Sequence, residues 1–295
     1  MSWFDFDWVD AFSDRAFGGN GCAVVHDGAN LPTETCMAYV RETSLVECTF
    51  TGPSNVADIR VRYFLASREI PFAGHPTIAT VAAMRSRGLF TGETLTLETG
   101  AGIVHIRLNG DEIEMTQIAP EFGAYVPAEL VASAISLPES VIISPPRMVS
   151  TGLPFCVTVL RDHSALRAAR LAEGPLRQVA QAAGYSGSDM AEPFLVTLQG
   201  ATAAGDTFSR LLLAPPSPPE DPFTGSATGA MAAYLWKYGL MDKDTFMAEQ
   251  GHDMDRPGQA TVTRVGPAEA MTGIKVAGRG HVLMRGQVDL PENAQ

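Results

Sequence analysis

The sequence predicts an α/β (α+β) protein of two domains built on one supersecondary plan. Its 295 residues are enough chain for about two domains. Strand-like and helix-like runs alternate in both halves. The third observation is an internal match. PFAGHPTIATVAAMRSRGL at 71–89 returns as PFTGSATGAMAAYLWKYGL at 222–240, 151 residues later, with Pro, Phe, Gly, Thr, Ala, Ala, Gly and Leu in register.

The elements follow in order. DFDWVDAF at 5–12 alternates apolar and acidic residues and leads to a Gly-Gly-Asn-Gly turn at 18–21, after which Cys22 to Val25 reads as a returning strand, so an N-terminal hairpin is expected. Thr33 and Glu34 open a helix to about Thr43, with Met37 and Val40 spaced to face a core. LVECTF at 45–50 and RVRYFLA at 60–66 read as strands. The Pro-Phe-Ala-Gly turn at 71–74 begins an Ala-rich helix that Gly88 stops. TLTLETGAGIVHIRL and EIEMTQI supply further strands. Between Gly123 and Pro146 the pattern weakens into Pro-rich connections around a short helix, which places the boundary between domains 1–123 and 124–295. The second half begins with a strand over STGLPFCVTVL at 150–160, a helix near 174–184 and the strand FLVTLQ at 194–199. The last strands, at 274–288, are assigned to the second domain, with a return to the first left open.

Composition excludes several functions. With 45% hydrophobic and 18% charged residues the chain is globular rather than disordered. A net charge of −12 argues against nucleic-acid partners and anionic membranes, although oriented backbone N–H groups can still bind a small carboxylate. No run approaches the roughly 18 apolar residues of a spanning helix. The aromatic start carries Asp5, Asp7, Asp10 and Asp14, unlike a secretory signal, and Cys22, Cys36, Cys48 and Cys156 form no CxxC pair, so a reduced, cytoplasmic protein is expected. P-loop, HExxH and GxSxG patterns are absent, and neither metal nor cofactor is expected.

Both copies of the repeat put a glycine where the chain turns into a helix, leaving N–H groups at a positive helix end. Two such ends facing one interdomain cleft would bind an anion from both sides. Alternatively, each glycine only permits close packing of strand and helix.

Several ordered segments resemble the PhzF-like phenazine-biosynthesis family, whose fold is that of diaminopimelate epimerase: VDAFSDRAFGGNGCAVV at 9–25, Glu47 in LVECTF, RVRYFLASREIPFAGHPTIA at 60–79, STGLPF at 150–155 and EDPFTGSATGAM at 220–231. The resemblance implies two pseudo-symmetric diaminopimelate-epimerase-like domains, each a mixed sheet wrapped around a central helix, with the site between them and a homodimer. It also separates chemistries. Related two-cysteine epimerases and racemases have a thiol just before the first glycine of each duplicated turn, where this chain has Ala73 and Thr224. Neither side chain is an acid or base near neutral pH, which disfavours two-thiol racemisation.

The positions that match the family pattern are Glu47, His75 and Asp221 as catalytic residues and Asn20, Gly74, Gly225 and Ser226 as substrate-binding residues. Glu47 lies in an otherwise apolar strand, where partial burial would tune a carboxyl for proton transfer, whereas alternation alone would also place it outward. The matching glutamate of the family is the general acid/base. Where the family commonly has Ser-Glu-Thr, this chain has Val46-Glu47-Cys48, so two flanking hydroxyls are missing. His75 at a helix start would be a neutral hydrogen-bonding imidazole or a packing histidine. Asp221 would hold the substrate and tune its protonation, or serve only as a favourable charge before a helix. Ser226, the counterpart of His75, would donate to a substrate carboxylate or cap its helix.

The expected activity is cofactor-independent isomerisation by acid/base proton movement on a small amino and carboxylate substrate, similar to trans-2,3-dihydro-3-hydroxyanthranilate isomerase. The alternatives are a non-thiol amino-acid epimerase or racemase, and a non-catalytic small-molecule-binding protein.

Overall fold

A computed structural model describes residues 2–185, 192–215 and 217–292, and divides into two compact units, Met1–Thr116 with Ala277–Gln295, and Gln117–Val276. The first contains β1 (Ser2–Ala11), β2 (Asn20–Val25), α1 (Thr33–Thr43), β3 (Glu47–Gly52), β4 (Ile59–Phe64), β5 (Glu69–Ile70), α2 (Gly74–Ser86), β6 (Thr94–Thr99), β7 (Gly102–Asn109) and β8 (Glu112–Gln117), whose last residue opens the second unit. The second continues with β9 (Glu121–Tyr125), α3 (Ala128–Ala134), β10 (Arg147–Ser150), β11 (Pro154–Val159), α4 (His163–Ala168), α5 (Glu173–Ala182), β12 (Pro193–Thr197), β13 (Thr207–Leu212), β14 (Glu220–Asp221), α6 (Gly225–Lys237), β15 (Thr245–Gln250), β16 (Gly258–Val265) and β17 (Gly273–Gly278). β18 (Gly280–Leu290) returns to the first unit.

This return changes the boundary read from the sequence. β18 pairs antiparallel with β1 from Ser2↔Leu290 to Ala11↔Gly280, so residues 277–295 group with the N-terminal unit. The division within the chain falls after Thr116 rather than at 123, because β9 pairs with β10.

The two units share one wiring. In the first, β1–β2 is antiparallel, β2–β3 parallel, β3–β4 and β4–β5 antiparallel, β4–β6 parallel and β6–β7 antiparallel. In the second, β10–β11, β11–β12, β12–β13, β13–β14, β13–β15 and β15–β16 repeat that series term by term. Such mixed pairing needs crossovers, and α1 and α5 occupy corresponding places between the parallel partners.

At the centre of each unit lies the repeated helix. α2 and α6 are both 13 residues long, and each is buried without interruption over its first turns, Gly74–Met84 and Gly225–Trp236. Their Ala-, Gly- and Thr-rich sequences are apolar or small all round, as a helix enclosed by sheet must be. α2 packs on β1, β2, β3 and β18, and α6 on β10, β11, β12 and β16. Outside the sheet of the first unit, α1 lays Cys36, Tyr39 and Val40 against Phe50 and Phe64, whose rings meet edge to face at 5.4 Å. In the second, α3 and α5 close a core of Val131, Ala134, Leu176 and Val179 beneath Met148 and Cys156.

A mirrored ion pair braces each unit. Arg62 grips Glu69 bidentately at 2.8 and 2.7 Å, and Arg210 grips Glu220 at 2.8 and 2.6 Å. Each arginine also donates to carbonyl oxygens of a neighbouring segment, Ala29 and Leu31 in the first copy and Leu166 in the second. No helix among the described residues is long and apolar enough to cross a membrane.

Candidate active site

Three predicted residues of the first unit converge. Asn20 is the first residue of β2, Glu47 the first of β3, and His75 the second of α2. The approach to Asn20 requires Gly19, at φ +52°, where a Cβ would lie 2.0 Å from the carbonyl oxygen of Ala11. Because β2 and β3 run parallel, with Cys22 opposite Glu47, their first residues emerge at the same end of the sheet. Asn20 Nδ2 sits 3.1 Å from His75 Nδ1, with Asn20 2% and His75 3% exposed. An amide NH2 only donates, so in this contact Nδ1 is the acceptor. Glu47 Oε2 lies 3.7 Å from the same Nδ1, beyond a hydrogen bond but within charge range, and its side chain is only 15% exposed. The carboxyl is therefore mostly screened from solvent.

The strand ends and the helix start are fixed from behind. Thr49 and Thr80 share a hydroxyl hydrogen bond of 2.9 Å between β3 and α2, and Tyr63 and Thr77 share another of 2.9 Å between β4 and α2. Thr77 in turn donates to the carbonyl oxygen of Ala73 at 2.7 Å. Neither α2 nor α6 has a side-chain cap at its N-terminus, so Ser226 does not cap its helix.

In the second unit, Asp221 ends β14 and is 4% exposed, while Thr224, Gly225 and Ser226 form the turn into α6. Thr224 Oγ1 donates to Asp221 Oδ2 at 2.5 Å. Gln250, the last residue of β15, donates from Nε2 to the carbonyl oxygen of Asp221 at 2.7 Å and accepts the Thr224 N–H at Oε1 at 3.0 Å. A second bracket holds the helix start: Gln117 Nε2 donates to the Gly225 carbonyl oxygen at 2.9 Å, and Thr151 Oγ1 donates to Gln117 Oε1 at 2.6 Å.

Asn20, Glu47 and His75 thus form one cluster with Gly74, and Asp221 with Gly225 and Ser226 forms another in the second unit. Gln250, Gln117 and Thr151 were not legible as site residues. Only Thr151 lay in a segment with any signal, the STGLPF stretch.

Burial disfavours the thiolate form of the cysteines. All four are buried free thiols, and burial pushes Cys36, Cys48 and Cys156 up to about 12 and Cys22 well above its ordinary value. Cys22 and Cys48, although beside Glu47, are neutral thiols at physiological pH. Among the described residues no group of three or more His, Cys, Asp or Glu side chains could hold a metal ion.

Comparison with known proteins identifies the family. Residues 9–286 match the family described as phenazine biosynthesis-like protein, and the chain belongs to that family. It is 30% identical over 299 residues to trans-2,3-dihydro-3-hydroxyanthranilate isomerase of Pseudomonas fluorescens, covering 96% of this chain and 98% of that one. The crystal structure of a PhzF-family phenazine biosynthesis protein from Bacillus anthracis superposes with a TM-score of 0.85 at 27% identity, covering 98% of this chain and 99% of that one. A hydroxyproline epimerase from Agrobacterium vitis shares the fold at a TM-score of 0.63 and 15% identity, over 98% of this chain and 91% of its own.

Proposed function

We propose that this protein is an isomerase that moves a proton between two carbons of a small substrate carrying amino and carboxylate groups, without a cofactor. The observation that carries this reading is the placement of Glu47, mostly buried, 3.7 Å from an imidazole nitrogen that Asn20 holds in place. Glu47 as carboxylate takes a proton from one carbon, the C–H electron pair shifts into the adjoining π system, and the resulting carboxylic acid returns the proton at another carbon. Atoms balance, and the enzyme ends in the state in which it began. His75, Asp221 and Ser226 orient the amino and carboxylate groups, with Asn20, Gly74 and Gly225 contributing to binding. The relative from Pseudomonas fluorescens supplies the substrate to try first, trans-2,3-dihydro-3-hydroxyanthranilate. The neutral thiols argue against the two-cysteine alternative. The proposal extends to a homodimer, to be checked by sedimentation, and to the cytoplasm, which suits four unpaired thiols.

The test is solvent exchange. The purified protein is incubated in D2O with trans-2,3-dihydro-3-hydroxyanthranilate and a panel of amino acids, and deuterium is followed by NMR for the wild type and Glu47→Gln. Ring-carbon exchange with product, reduced by a factor of about 10³ or more in the variant, is expected because an amide cannot shuttle the proton. Exchange confined to an α-carbon would replace this reading by an epimerase, and exchange that survives in Glu47→Gln would remove that residue from its role. Ligand binding that is indifferent to Glu47→Gln, with no exchange, would indicate a non-catalytic binding protein.

A further inference from the structure

The amide of Gln250, beside Asp221, admits only one arrangement of its donors and acceptor. Gln250 is 1% exposed, and both ends of its amide are pinned by backbone groups of fixed character. Nε2 faces the Asp221 carbonyl, which only accepts, and Oε1 faces the Thr224 N–H, which only donates. The remaining Nε2 hydrogen reaches Thr224 Oγ1 at 3.2 Å. The Thr224 hydroxyl, which accepts there, donates its single hydrogen to the ionised Asp221 carboxylate at Oδ2, 2.5 Å away. A hydroxyl donor at this distance makes a charge-assisted bond that favours the ionised carboxyl over the protonated one.

We infer that Gln250, acting through the Thr224 hydroxyl, is a positioning residue that aims a hydrogen-bond donor at Asp221 Oδ2 and so holds Asp221 as the carboxylate that faces the substrate. This rests on the role given to Asp221 above. It goes further by assigning a task to Thr224, the residue at the place of a thiol in two-cysteine relatives, and to Gln250.

The duplication argues that these bonds are not there to fold the turn. The first copy makes the same turn, with Tyr63 opposite Ile70 where Leu211 stands opposite Asp221. There Ile70, Ala73 and Thr99 occupy the places of Asp221, Thr224 and Gln250, so no carboxylate, hydroxyl relay or amide is needed to start α2. Charged groups on the elements packed here are engaged with one another. Arg210 and Glu220 form their own pair, Glu249 takes donors from Thr202 and Gln259 with His252 3.7 Å away, and Asp253 pairs with Arg167. Arg256 follows beyond Gly251, its carbonyl oxygen turned toward that glycine, and the first turn of α6 contains no charged residue.

The experiment uses the full chain with carboxyl-13C aspartate, the Asp221 signal being assigned by its loss in Asp221→Asn. Wild type, Thr224→Ala, Thr224→Ser and Gln250→Thr are titrated by NMR, and circular dichroism reports folding. Thr224→Ala, which copies Ala73, is expected to weaken the acidity of Asp221 about tenfold to a hundredfold, the size of one hydrogen bond to a charged group. Gln250→Thr shifts it in the same direction by less, and Thr224→Ser restores the wild-type titration. The acid limb of the pH–rate profile moves by the same factor as the carboxyl signal. An Asp221 titration unchanged in Thr224→Ala, or a serine variant that fails to restore it, would overturn the inference. Should the wild type show no exchange with any substrate, the isomerase reading fails, while the carboxyl titration still decides this one.

Discussion

Gly229, in the second turn of α6, gives a sharp test of how the helix start is held. A Cβ built there lies 1.8 Å from Gln117 Oε1 and 2.7 Å from its Cδ, with Thr151 Oγ1 at 3.1 Å. Gly229→Ala therefore drives the Gln117 amide away by more than an ångström, since ordinary contacts begin near 3.4 Å. That movement breaks the bonds from Gln117 to the Gly225 carbonyl and from Thr151 to Gln117, between groups only 4% and 3% exposed. Two orphaned buried groups cost about 1–3 kcal/mol each. Alanine returns about 1 kcal/mol of helix propensity. A net loss of about 1–5 kcal/mol is expected, measured by urea unfolding with an unchanged m-value. The control is a double-mutant cycle with Gln117→Ala, which removes the obstructing amide; in that background Gly229→Ala should be neutral or slightly stabilising. If Gly229→Ala matches the wild type, or costs the same with and without Gln117, the bracket does not hold α6 as described.

Two further substitutions test the braces around the site. Glu220→Gln should cost about 3 kcal/mol and Glu69→Gln about 1 kcal/mol, because the Arg210–Glu220 side chains are 11% and 14% exposed whereas Glu69 is 39% exposed; equal losses in urea unfolding would refute this. Glu249 is fully buried; burial raises its pKa, but the donors Thr202 and Gln259 outweigh burial and hold it below the usual glutamate range. A depressed carboxyl adds stability above the unfolded value of about 4.3 and loses it as pH falls through the folded value. Glu249→Gln should therefore be less stable than wild type at pH 7, with the difference shrinking as pH falls below about 4.3, and parallel stability curves down to acid pH would count against the assignment.

What the sequence made legible was local or repeated. α1 falls on Thr33–Thr43 as expected, and the repeat lays α2 and α6 over equal lengths, because a turn residue, a glycine and an apolar helix leave their mark in adjacent positions. The strand expected over 150–160 is instead two, broken where Gly152 takes φ +137°, and β10 turns back on β11. α4 passed unnoticed because six residues hold less than two turns of periodicity; its start is marked only by Asp162, whose side chain accepts the Ala165 N–H. β13 is buried on both faces except at Arg210, so the alternation that betrays a half-exposed strand is missing. β18 finds its partner at the other end of the chain, a pairing with no local signal. In the site, Glu47 and His75 stood out as polar residues in apolar or repeated contexts. Gln250 did not, since it reaches Asp221 only through the pairing of β13 with β15 and β14.

The two copies separate what folding needs from what chemistry needs. Features present in both serve the scaffold: the bidentate Arg–Glu pairs, and the hydroxyls of Thr77 and Thr228, which donate to the carbonyl oxygens of Ala73 and Thr224 four residues earlier at 2.7 and 2.9 Å. Features present once serve something else. Register places Cys22 opposite Glu47 in the first unit and Cys156 opposite Pro193 in the second, so the buried carboxyl at the start of β3 has a proline as its counterpart. His75 corresponds to Ser226, Ile70 to Asp221 and Ala73 to Thr224. A fold that closes the same turn with and without these groups does not require them for stability. Their presence in one copy each, on strand ends and helix starts that the shared braces support, fits the proposed division of duties in a duplicated scaffold: proton transfer at Glu47 in one half, and a substrate-facing carboxylate at Asp221 in the other.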